Sequence, residues 1–337
     1  MRLTILLVMA HHIDFSKGFA SFVGTAPAWH QLGTVLPDGI TVQDALEKGG
    51  LDYWVEKQPN VHRFPNGKEE VSTDSFFLYR TDTDAVLAGS VGRVYKTLQN
   101  AEAFTIVDDL VAEGLKIDTA GVLRGGQNTF VSLQAPSFSV KGDEVSQYLL
   151  ITNPHDGKGA IRVMYTPVRV VCANTLSAAL GSKSGTRIRH SINAEAKVRE
   201  TLEIMGLLSE TGQSTQELFE YLVSESVNSK TVKNYAANVL LTPEEKKAVK
   251  NGADWEDAVS TRKRNQISAI AEFTESGIGQ NVHSGTAWWM YNGFTGWMRH
   301  EWKDVEAQFP SESLTADRMA VEALKMAANP SQIIQLI

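Results

Sequence analysis

Apolar and polar positions follow two different rhythms along this chain. Up to about residue 191 the apolar residues come in short β-branched and aromatic runs separated by turn residues, the pattern of strands. Asp74–Arg80 and Ala85–Leu98 flank Thr81-Asp-Thr-Asp84 and read as one hairpin; Ala120–Arg124 and Thr129–Gln134 flank Gly125-Gly126 and read as another. Val145–Thr152, Ile161–Tyr165 and Val168–Cys172 follow as strands. Asn174–Leu180 then reads as a short helix and Thr186–His190 as a returning strand. Two helices lie earlier. One runs from Thr41, its cap, to Gly49, its stop. The other runs from Asn100, read as a cap, to Glu113, with Phe104, Val107, Leu110 and Val111 on one apolar face. The remainder of Asp14–Asn66 reads as irregular.

Beyond Ser191 the period lengthens to that of helices, over 194–210, 213–226, 243–251, 255–275, 286–303 and 315–328. Asn193, Thr242 and Thr315 stand where caps belong. Strands first and helices afterwards predict an α+β fold. The sheet should be mostly antiparallel and lie in the N-terminal half, with the helical C-terminal region packed on or beside it. The expected division is a β-rich α+β domain over 14–191 and a helical region over 192–337. Residues 1–13 stand apart: the short apolar run of MRLTILLVMA is followed by His11, His12 and Asp14 rather than a cleavage site, and Met9 reads as a natural start.

Composition narrows the function classes. Apolar residues make up 42% and charged residues 21% of the 337, enough to bury a large core without staples. The single cysteine, Cys172, excludes a disulfide framework and any cysteine-rich zinc module. No stretch reaches the roughly 18 to 20 apolar residues of a membrane span, so a cytoplasmic location without membrane contact is expected. The net charge of −7 excludes a uniformly basic coat but not a local basic face. The acidity is C-terminal: residues 1–194 hold 18 Lys and Arg against 19 Asp and Glu, and residues 195–337 hold 14 against 20.

One interval runs against that balance. From Gly157 to Ala194, 38 residues hold Lys158, Arg162, Arg169, Lys183, Arg187 and Arg189, with His190, and no acidic residue. Arginine forks match phosphate oxygens bidentately and lysine supplies a point charge. Asn174, Thr175 and Ser177 add hydrogen-bonding groups nearby. Tyr79, Tyr95, Tyr148 and Tyr165, all on expected strands, are candidate platforms for base stacking. The competing reading pairs these cations with the acidic C-terminal helices.

Other chemistry is thinner. Cys172 with His155 or His190 offers a thiol and two bases, but a cysteine inside Val-Val-Cys-Ala is more often a small buried apolar group. His11, His12, Asp14 and His30 could ligate a metal, yet no regular element enforces their spacing. Neither a Walker-type phosphate loop nor a dinucleotide fingerprint occurs. The expectation is therefore no cofactor, no metal and a binding protein rather than an enzyme. Ala287–His300 is aromatic on nearly all sides if helical, which marks a core or an interface and raises self-association.

Four segments occur in an order that resembles a family: Pro27-Ala-Trp-His-Gln-Leu-Gly-Thr34, Arg169-Val-Val-Cys-Ala-Asn-Thr-Leu176, Arg189-His190, and Gly285-Thr-Ala-Trp-Trp-Met-Tyr-Asn-Gly-Phe-Thr295 with His300 beyond. Over about residues 20–328 the chain is similar to the phage/plasmid-like family known as domain of unknown function 932. Trp289 and Trp297 depart from the family's tail. The resemblance implies a mobile-element context and carries over no catalytic residue. Residues and context together lead to the expectation of a homo-oligomeric, nucleic-acid-binding protein in the cytoplasm of a bacterial host. Its ligand would be single strands, serving annealing or recombination through Lys158, Arg162, Arg169, Asn174, Lys183, Arg187, Arg189 and His190. The rival readings are an enzyme acting on nucleotides or phosphoesters and an inhibitor of a host protein working through the aromatic helix.

Overall fold

The computed structural model describes residues 13–26, 33–158, 161–169, 174–175, 185–187, 194–302 and 314–337. The strands are β1 (Phe22–Gly24), β2 (Thr34–Val35), β3 (Val55–Arg63), β4 (Glu69–Arg80), β5 (Val86–Gly92) and β6 (Lys116–Leu123). They continue with β7 (Asn128–Val140), β8 (Asp143–Pro154), β9 (Arg162–Arg169), β10 (Asn174–Thr175) and β11 (Gly185–Arg187). The helices begin with α1 (Val42–Lys48), α2 (Asn100–Ala103), α3 (Thr105–Ala112), α4 (Ala194–Ser224) and α5 (Ser229–Leu240). They end with α6 (Pro243–Lys250), α7 (Trp255–Ala258), α8 (Thr261–Ser276), α9 (Ala287–His300) and α10 (Leu314–Ala327). The fold is α+β, with antiparallel sheet N-terminal and helices C-terminal.

One sheet runs in the order β10-β9-β8-β7-β6-β1-β2, with β11 also paired to β9; a second, of three strands, runs β3-β4-β5. The β6–β7 and β4–β5 ladders are antiparallel, as both hairpin readings require, while β1 and β2 pair in parallel. The chain divides into two compact units. The first comprises 1–135, 148–165 and 185–208; the second comprises 136–147, 166–184 and 209–337. In the first unit Val23, Leu78, Val107, Leu110, Ala120 and Val131 are buried, from both sheets and from α3. In the second unit every position of α9 from Ala287 to Met298 is buried among Phe219, Tyr235, Ile270 and Phe273.

Several expected elements differ from those formed. β5 stops at Gly92, so Tyr95 lies beyond the strand. The helix expected over 100–113 breaks at Phe104 (φ −97°, ψ 9°) into α2 and α3. Asn100 is not its cap; the residue sits inside α2, buried, with its amide turned to the Leu51 carbonyl. Val111 is 40% exposed and leaves the apolar face. Asn174–Thr175 pairs with β9 as a strand instead of opening a helix, and Val168–Arg169 completes the strand that Arg162 begins. The two helices expected over 194–226 are one, and Ser260 caps α8, dividing the helix expected over 255–275.

Candidate functional site

Two ladders position the basic interval. In the first unit β11 pairs antiparallel with β9, setting Arg187 opposite Arg162, Thr186 opposite Val163 and Gly185 opposite Met164. Like charges at paired positions oppose strand pairing. Arg162 is exposed. Lys158, also exposed, follows a turn in which the Asp156 carboxylate accepts the Lys158 N–H at 2.8 Å. Among the described residues no carboxylate pairs with either Lys158 or Arg162. In the second unit the same strand sets Arg169 opposite Asn174. Lys183, Arg189, His190 and Cys172 lie outside the described residues, as do His11, His12 and His30.

The tyrosines divide. Tyr165 is 1% exposed and belongs to the core, which removes it as a stacking platform. Tyr79 is half-buried and donates its hydroxyl to Glu56 at 2.8 Å, which pushes its phenol pKa up. Tyr95 and Tyr148 are half-buried. Alternation on a strand says which residues share a face; it does not say which face meets water.

A second polar constellation, which sequence reasoning missed, lies in the interior of the first unit. Arg80, at the end of β4, is wholly buried. Nη1 donates to Asp14 at 2.6 Å, while Nε and Nη2 each donate to Asp82 at 2.8 Å. The guanidinium lies 4.0 Å from the Tyr53 ring centroid. Tyr53 donates its hydroxyl to the Gly126 carbonyl at 2.8 Å, and burial pushes its phenol pKa up. Gly126, at φ +105°, comes so near that a Cβ there would stand 2.8 Å from Arg80 Cδ. Asp14, weighed above as a metal ligand, is thus the carboxylate of a buried ion pair. The visible signal was an arginine two residues before an aspartate at a strand end; its link to Asp14, 66 residues away, had none.

Next to Tyr53, with ring centroids 6.0 Å apart, lies His155. Asn100 donates to the Leu51 carbonyl at 2.9 Å, so its Oδ1 is an acceptor. That oxygen takes His155 Nε2 at 2.9 Å, Thr129 Oγ1 at 2.9 Å and Asn153 Nδ2 at 3.1 Å. His155 therefore carries its proton on Nε2. Burial holds its pKa down at about 4, so the ring is neutral at pH 7. The partners of this network are all internal to the unit; its chemistry is that of a buried polar lock.

In the second unit α9 has no face left for a partner. Trp288, wholly buried, donates Nε1 to Asp143 at 2.8 Å and lies 4.6 Å from the Phe219 ring. Trp289 and Trp297 are each 3% exposed. The aromatic pattern is that of a core helix, and self-association loses that support. Among the described residues no group of three or more His, Cys, Asp or Glu could hold a metal ion.

Comparison with known proteins adds one match. Residues 87–325 fit the family model described as Domain of unknown function (DUF932), which is more than half of the chain. The chain belongs to this family. The matched range contains the whole basic interval, α9 and most of α10, while Pro27–Thr34 lies outside it. Trp289 and Trp297, expected to depart from the family's tail, belong to the interior of the second unit. No curated protein and no solved structure matches the chain. Among the described residues no helix is long and apolar enough to cross a membrane.

Proposed function

We propose that this family member binds nucleic acid, single strands in particular, through the cationic positions of its basic interval. It would serve strand annealing or recombination for a phage- or plasmid-type element in the cytoplasm of a bacterial host. The observation that carries the reading is the Arg162–Arg187 register pair, with Arg162 and Lys158 exposed and their side chains in no ion pair among the described residues. Two guanidinium groups at paired positions suit a phosphate, which accepts two parallel hydrogen bonds from each planar fork. Internal neutralisation by the acidic C-terminal half is the rival account of these charges. Arg169 and Asn174, paired on the other ladder, supply further phosphate and hydrogen-bonding positions.

The test is fluorescence anisotropy of a labelled single strand titrated with the protein at several salt concentrations, with duplex of the same length as competitor. Each neutralised phosphate on a single strand lowers log K by about 0.7 per unit of log salt. The reading requires a negative slope and weaker competition by duplex. Absent or salt-independent binding removes it. Of the rivals, the host-protein reading rested on an aromatic helix that is buried, and the enzyme reading on the same arginines with Cys172 or His190, two residues that lie outside the described ones.

A further inference from the structure

Just past β5 the chain turns through Arg93-Val-Tyr-Lys96, and one lysine holds the backbone of that turn. Lys57 Nζ donates to the Arg93 carbonyl at 2.9 Å and to the Tyr95 carbonyl at 2.8 Å. Within the turn the Tyr95 N–H donates to the Gly92 carbonyl at 3.1 Å. An ammonium has three donors, so two of those on Lys57 are spent on main chain; Nζ also sits 4.9 Å from the Phe76 ring centroid. The side chains of the turn itself are left to the surroundings. Arg93 is exposed, and Tyr95 and Lys96 are half-buried. Val94, at 91%, is the most exposed large apolar residue among those described. Among the described residues Arg93 and Lys96 are in no ion pair, and no ring stacks on Tyr95.

The start of the basic interval is docked beside this turn, within the same unit. His155 donates its N–H to the Gln127 carbonyl at 2.7 Å, and Gln127 Nε2 donates to the Leu87 carbonyl of β5 at 3.0 Å. Gly157, at φ +77°, approaches β5 so closely that a Cβ there would stand 2.7 Å from Val91 Cγ1 and 3.3 Å from Ala88 Cβ. Asp156 is near enough to the Tyr95 phenol to add to the rise that burial imposes on its pKa. Lys158, exposed, comes two residues later. Together the two segments set Arg93, Lys96 and Lys158 against the one carboxylate of Asp156.

We propose that the Arg93–Lys96 turn and Lys158 form a second contact for single-stranded nucleic acid, with Arg93, Lys96 and Lys158 on phosphates and Tyr95 and Val94 against a base. It rests on the single-strand reading above and extends it from β9 to the end of β5. Single strands are held by cations that follow the backbone together with rings on which bases stack, and this turn carries both within four residues. Lys57 fixes the main chain before any ligand arrives, so little ordering cost falls on binding. A duplex keeps its bases inside and offers Tyr95 no face, so the contact favours single strands.

The test uses the full-length protein and a labelled single strand at several salt concentrations. Arg93→Gln with Lys96→Gln should make the slope of log K against log salt shallower by about 1.4, two contacts at about 0.7 each. Tyr95→Leu should bind about tenfold more weakly with the slope unchanged, because stacking carries no counterion. A strand bearing 5-iodouracil, irradiated on the wild type, should crosslink to the peptide that holds Tyr95, a readout that needs no variant to fold. Wild-type binding with an unchanged slope in the folded double variant, or with crosslinks that avoid residues 93–96, overturns this contact and leaves the β9–β11 reading standing. No single-strand binding by the wild type removes both.

Discussion

Acidification should destabilise the first unit through His155. The imidazole is 1% exposed and its pKa is held down at about 4, against an ordinary value near 6.5. The sign follows from proton binding. Between pH 6.5 and 4 the unfolded chain takes up a proton at this residue and the folded chain does not, so stability falls as pH falls. The slope is about 1.4 kcal/mol per pH unit for one proton, and the whole window is worth about 3 kcal/mol. Above pH 6.5 the residue contributes no pH dependence. His155→Gln retains a donor for Asn100 Oδ1 and cannot titrate. Urea unfolding followed by circular dichroism at pH 7, 6, 5 and 4.5 should therefore show the wild type losing stability relative to the variant at that slope. Parallel profiles for the two proteins, or a His155 ring resonance that titrates near 6.5, would refute the reasoning.

Three other substitutions follow from the cores. Arg80→Met leaves Asp14 buried without its cation and should cost about 3–5 kcal/mol; in chemical denaturation the double variant with Asp14→Asn should lose less than the two single losses combined. Gly293→Ala puts a Cβ 2.0 Å from Thr274 Oγ1 at the α8–α9 crossing and should cost about 1–3 kcal/mol. Adding Thr274→Ala should recover part of that loss in the thermal midpoint. Trp288→Phe removes the donor to the Asp143 carboxylate and should cost about 2 kcal/mol by urea titration, with the fold retained by circular dichroism.

How much of this was legible depended on whether the signal was local. The cap of α1 was readable as Thr41, and the structure returns it as a capping box, with Thr41 and Asp44 bonded reciprocally. The Gly125-Gly126 hairpin was equally local. β3 was missed because Pro59 argues against a strand, yet a register shift beside it accommodates the proline. α5 was missed because Asn234 and Asn238, poor helix formers, look like loop residues until the segment they hold is seen. Asn100 looked like a cap for the same reason, its side chain being claimed by Leu51, Thr129, Asn153 and His155 across the fold. The basic interval was visible as composition, but the pairing of Arg162 with Arg187 needed the β9–β11 register, 25 residues apart in sequence. Long-range partners leave no mark on periodicity.

The salt dependence of single-strand binding by Arg162→Gln/Arg187→Gln, measured beside the wild type, tests the central claim most directly. If both arginines neutralise phosphates, the slope of log K against log salt should become shallower by about 1.4, two contacts at about 0.7 each. An unchanged slope in a folded variant would place the phosphate contacts elsewhere and contradict the account.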